Sequence, residues 1–199
     1  MALSRITNYI EADGADLNLQ SSDTTITASS VLGVINFKAP SEASGTDSIL
    51  LASKIEAVAE GTFSASSNAT ELVFFTASSE AAGTAGGGKM VMSSTGNLTL
   101  KDTRTADGSS PTITLQTGDT DIAQDDVLGT INFQAPDEGT GTDAILVAAG
   151  IAAISEGDFS SSSNATKLSF KTGASEAAAE KMSLGSGGDL SIVTDGASI

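Results

Sequence analysis

The sequence predicts an all-β protein of two tandem modules, and three observations carry that prediction. Residues Leu17 to Ala82 align with Ile113 to Ala178 at a constant offset of 96, with 38 of 66 positions identical and no gap. Within each copy the apolar residues recur at every second position, the period of a strand with one packed face. Leu, Ile, Val and Phe together make up only about 22% of the chain, too little apolar volume for two independent cores of this size. The first two observations fix the class and its repetition. The third predicts an obligate homo-oligomer, because another copy of the same chain supplies the missing burial most directly.

Residues 1–14, MALSRITNYIEADG, lie outside the duplication. They mix apolar and basic residues in an acidic chain and carry its single tyrosine. We expect a docking arm here, with Arg5, Ile6, Tyr9 and Ile10 as its contact residues, although a frayed terminus accounts for the same pattern. The segment has no apolar core of the kind a secretory signal needs, so export by that route is not expected.

Module 1 spans 15–100. Its run VLGVINF puts Val31, Gly33, Ile35 and Phe37 on one face, and Val127, Gly129, Ile131 and Phe133 repeat them unchanged. The other face varies, Val34 becoming Thr130 and Lys38 becoming Gln134. The invariant face is therefore expected to pack and the variable one to meet solvent or a neighbour. Asp47 to Glu60 is helix-competent, but its counterpart places Gly150 at the midpoint while Ile145, Val147, Ile151 and Ala153 keep two-residue spacing, so a strand is favoured. Leu72, Phe74 and Thr76 form the next strand, matched by Leu168, Phe170 and Thr172. The segment around Gly83 to Gly88 lengthens module 1 by about four residues and reads as a flexible hairpin tip. Gly-Asn and Gly-Asp turns then lead into final strands at Leu98 and Leu190. A polar linker occupies 101–110, module 2 spans 111–192, and a tail at 193–199 suggests a last strand or the start of another unit.

The chemistry available is narrow. With no histidine and no cysteine, the chain has no thiolate zinc site, no disulfide and no His-assisted nucleophile. Glu60 and Glu156 recur in both modules and would be the carboxylate pair of a glycosidase; as strand-end or turn acids they need no catalytic role, and no tryptophan is present to line a sugar cleft. The acid run Asp119 to Asp126 offers oxygen ligands for calcium without EF-hand spacing, and its counterpart from Asp23 keeps one acid of four, which favours a solvated loop. Asn68-Ala-Thr and Asn164-Ala-Thr match a glycosylation acceptor but serve equally as turn residues. No cofactor is expected. Six of the seven phenylalanines pair between modules and read as core; Phe75, replaced by Lys171, is the one expected to face outward with Val34, Lys38 and Glu71.

The net charge of −16 repels nucleic acid and anionic membrane surfaces. The longest apolar stretch, Ala144 to Ile154, is 11 residues, well below the roughly 20 that span a bilayer as a helix. Membrane insertion is not expected.

The string from Ile55 to Leu100, with SSNATELVFFT at its centre and KMVMSSTGNLTL at its end, resembles the repeat of bacteriophage tail fibres, those of marine phages in particular; EKMSLGSGGDLSI from Glu180 gives the same ending with Asp189 for Asn97. That resemblance implies a homotrimeric β fibre in the virion, mounted on other virion proteins by its N-terminal arm and meeting a host surface receptor at its distal end. A capsid head fibre or decoration protein is the neighbouring alternative, and a glycosidase acting on host polysaccharide the alternative of another class.

Overall fold

The computed structural model describes residues 18–39, 47–78, 81–82, 88–136 and 141–193. The chain divides into two compact units, Met1–Thr112 and Ile113–Ile199. Each contains one five-stranded antiparallel sheet, and the described residues hold no helix beyond two single 3-10 turns, at Asp47–Ile49 and Asp143–Ile145.

In the first unit the strands follow in chain order as a meander: β1 (Val31–Lys38), β2 (Leu51–Ala59), β3 (Thr70–Thr76), β4 (Met90–Met92) and β5 (Leu98–Leu100). The second unit has β6 (Val127–Gln134), β7 (Val147–Ser155), β8 (Thr166–Thr172), β9 (Ala179–Leu184) and β10 (Leu190–Ile192), again paired neighbour to neighbour. Asp47 to Glu60 is thus a strand after one 3-10 turn, as its spacing predicts.

Turn chemistry explains the connections. Ser64 and Ser67 form an isolated bridge at the SASSN loop, Ser160 and Ser163 form its equivalent, and Thr70 and Thr166 donate their hydroxyls to the carbonyls of Asn68 and Asn164 at 2.9 Å. The Asn-Ala-Thr triplets are turn residues. Gly96 (φ +82°) and Gly188 (φ +89°) sit in the left-handed region that the β4–β5 and β9–β10 turns require.

Register shifts interrupt the ladder between Val31 and Gly33, and between Val127 and Gly129. Val31 pairs with Val58 while Gly33 pairs with Ala57, and adjacent residues of β2 point to opposite faces. The face that the sequence assigns from Val31 therefore begins at Gly33. Residues 83–87 of the expected hairpin tip, all of 1–14 and 194–199 of the tail lie outside the described residues.

Candidate functional site: the repeated apolar face

Cross-strand register assembles two apolar rows on one face of each sheet. In the first unit one row runs Ile35, Ile55, Phe74, Met90, Leu100, and the next runs Gly33, Ala57, Leu72, Met92, Leu98. In the second unit the same rows are Ile131, Ile151, Phe170, Met182, Ile192 and Gly129, Ala153, Leu168, Leu184, Leu190. Every position is identical or a swap between aliphatic residues. Directly opposed pairs of this kind are the unit of sheet stabilisation.

This invariant face is uncovered in the single chain. Phe37 is 49% exposed, Phe133 55%, Leu98 56% and Leu190 62%, with Ile35, Ile131, Leu72 and Leu168 also exposed. One element does lie on it. Leu19 approaches so closely that a Cβ at Gly33 would stand 2.8 Å from its own Cβ, and Leu115 stands over Gly129 at 2.7 Å. The two glycines recur because a side chain there has no room. Leu19 and Leu115 are themselves 45% and 49% exposed, so the face stays open around them.

The opposite face carries the buried cluster of the single chain, which corrects the assignment of Phe75 as outward-facing; Lys38 is exposed as expected, and Val34 and Glu71 are half-buried. Val73 (4% exposed), Phe75 (9%) and Ala82 (4%) form a buried cluster, packed by Leu51, Val58, Ala77 and Val91. In module 1 Ala82 joins the cluster, and at Gly88 a Cβ would overlap Val73 Cγ1; in module 2 the same face is buried at Ala152 and Ser169. Lys54 completes the cover, its Nζ 4.4 Å from the Phe75 ring centroid and paired with Glu56. Module 2 lacks the insertion, and Val73, Phe75 and Val91 become Ser169, Lys171 and Ser183 there. Ser169 and Ser183 are buried, Ser169 Oγ without a hydrogen-bond partner, and the polar surroundings that Ser169, Lys167 and Ser183 give the Glu180 carboxyl lower its pKa from the ordinary value. Lys167 pairs with Glu180 at 3.1 Å.

The recurring acids have structural partners. Glu60 Oε1 accepts the backbone N–H of Ser94 at 3.1 Å, and its second oxygen accepts the Ser94 hydroxyl; Glu156 Oε2 accepts the N–H of Ser186 at 3.0 Å. Each glutamate thus fastens the last hairpin turn of its own module, and those hydrogen bonds lower both carboxyl pKa values. The co-retention of Glu60 with Ser94 and of Glu156 with Ser186 is the sequence signal of this link. In the acid run, Asp119 Oδ1 accepts from Asp121 N at 3.0 Å and Asp126 Oδ2 from Ala123 N at 2.7 Å, an arrangement that builds the turn. Among the described residues no three acidic side chains are grouped to hold a metal ion, and no helix is long and apolar enough to cross a membrane. Arg5, Ile6, Tyr9 and Ile10 lie outside the described residues.

No protein-family model matches the chain, and no curated protein matches it. Among solved structures it is similar to the carboxy-terminal domain of the bacteriophage T5 L-shaped tail fibre, at 12% identity and TM-score 0.38, covering 96% of this chain and 91% of that one. The same T5 domain with its intra-molecular chaperone domain gives 11% identity and TM-score 0.40, covering 96% of this chain and 63% of that one.

Proposed function

We propose that the chain is a bacteriophage virion structural protein, a tail fibre or fibre-like appendage that assembles as a homotrimer and contributes to host attachment. The observation that carries the reading is the pair of apolar rows repeated in both modules and left open in the single chain. Exposed apolar surface of this extent marks an interaction site, and its near-identity in the two modules fits a partner that is the same chain in register. Three protomers, and a fibre of the marine-phage kind, follow from the resemblance of Ile55 to Leu100 and Glu180 to Ile192 to phage fibre repeats.

In this assembly the open faces of the protomers form the shared core, and the charged remainder of the −16 chain keeps the particle soluble. The arm at 1–14 docks on another virion protein through Arg5, Ile6, Tyr9 and Ile10. Immunogold labelling of intact particles tests the reading: label on tail appendages supports it, label on the shell replaces it with a head fibre or decoration protein, and absence from purified particles overturns both.

A further inference from the structure

A cyclic assembly of three identical chains joins a patch on one copy to a different patch on the next, so the chain must carry two surfaces that fit each other. The two ends of β1 offer such a pair. Beside Gly33 lies a pocket of about 300 Å³ whose apolar wall is Leu19, Ile26, Leu32 and Phe63. At the far end of the strand stands Phe37, an aromatic side chain that its own chain leaves exposed on the open face. We propose that the Phe37 ring of one copy fills the pocket of the next. The pairing rests on the homo-oligomeric reading above and supplies its contact.

The pocket is held by its own backbone bonds. Phe63 N donates to Ile26 O at 3.0 Å and Ser29 N to Ala59 O at 2.7 Å, which fastens the loop before β1 to the end of β2 and the turn beyond it. Ser29 adopts the left-handed conformation (φ +69°), which a residue with a side chain takes at a cost. Module 2 keeps this construction: Phe159 N donates to Ile122 O at 2.9 Å, Asp125 N to Ser155 O at 3.1 Å, and Asp125 has φ +71°. Leu115, Ile122, Leu128 and Phe159 stand where module 1 has the four wall residues, and Phe133 where it has Phe37. Hole and knob are retained together in both modules. A second copy is therefore the occupant, because the same chain encodes both halves of the contact.

The geometry of β1 suits this pairing. Gly33, Ile35 and Phe37 share one face, and four residues of extended chain separate the ends by about 13 Å, too far for Phe37 to reach the pocket of its own chain. About a symmetry axis that crosses the strands, both ends of β1 lie at one height, so a pure rotation carries the knob of one copy to the hole of its neighbour. Ile35, exposed between them, continues the apolar surface. An aromatic ring seated in an apolar pocket is the kind of contact that dominates interface energy.

The test places the photoreactive analogue p-azidophenylalanine at position 37 of the full chain, in protein assembled from mixed isotope-labelled and unlabelled chains, and maps the adducts by mass spectrometry. The expected adducts join position 37 of one copy to 19–32 or Phe63 of another. The same probe at position 75, which is buried in its own unit, should join no second copy. Independently, Phe37→Ala and Leu19→Ala, both at exposed positions, should each raise the concentration of half-dissociation in sedimentation, and together by less than the product of the two fold-changes, because they remove one shared contact. A protein that sediments at the mass of one chain overturns the assembly, and the pairing with it. An oligomer in which the probe at 37 joins position 37 of another copy, joins a segment elsewhere or joins nothing, or in which the two fold-changes multiply, overturns the pairing alone.

Discussion

Replacing Phe133 with alanine separates a surface side chain from one that is buried only on assembly. In the single chain Phe133 is 55% exposed, so its truncation there removes little burial. If protomers cover its face, each chain loses about 110 Å² of buried apolar area, from a ring that buries about 200 Å² in full. At about 25 cal/mol per Å² that is about 3 kcal/mol per chain and about 8 kcal/mol per trimer. The trimer dissociation constant then rises about 10⁶-fold, and the concentration of half-dissociation, which scales as its square root, about 10³-fold. Sedimentation velocity over a dilution series reads that midpoint directly. Phe75→Ala is the reference: Phe75 is buried within its own module, so its loss should cost about 3 to 5 kcal/mol of stability without requiring a partner. A Phe133→Ala protein with unchanged midpoint and melting temperature, beside a destabilised Phe75→Ala protein, would show that no partner covers the Phe133 face.

Gly129→Ala places a Cβ 2.7 Å from that of Leu115 and should destabilise module 2 by about 1 to 3 kcal/mol, whereas Gly157→Ala, with nothing within 4 Å, should be neutral in the same denaturant titration. Glu60 and Glu156 have folded pKa values below the ordinary 4.5, so their contribution is complete above that pH and is lost as pH falls through the folded values. Wild-type melting temperature should therefore drop below pH 4.5, and the Glu60→Gln, Glu156→Gln double variant, already less stable at pH 7, should drop less; parallel curves would contradict this. Asp119 and Asp126 are engaged by backbone N–H groups, so EDTA or millimolar calcium should leave the melting temperature unchanged, and a rise with calcium would show a site there.

Much of this architecture is legible in the sequence because the duplication isolates what the backbone demands. The strands at Val31, Leu72 and Leu98, the Gly96 and Gly188 turns and the strand at Leu51–Ala59 all follow from period-two spacing or from glycines that enter the left-handed region without steric cost. What spacing does not reveal is which face of a strand its own module covers. Alternation sorts Ile35 and Phe37 from Val34 and Lys38, but both faces of β3 are apolar, Leu72 and Phe74 on one and Val73 and Phe75 on the other. Phe75 is buried in a cluster with Val73 and Ala82, packed by Leu51, Val58, Ala77 and Val91, a set that only the three-dimensional structure brings together. The replacement of Val73 and Phe75 by Ser169 and Lys171 in module 2 was the available clue. Variation there marks a change of packing, and invariance on the other face marks a surface both modules present alike.

If other copies of the chain close the open, repeated face, the mass of the purified protein in solution shows it. Sedimentation at micromolar concentration should give a mass three times the 19.8 kDa of one chain, with melting that shifts upward as concentration rises. A mass of one chain at every concentration, with cooperative and concentration-independent melting, would contradict it.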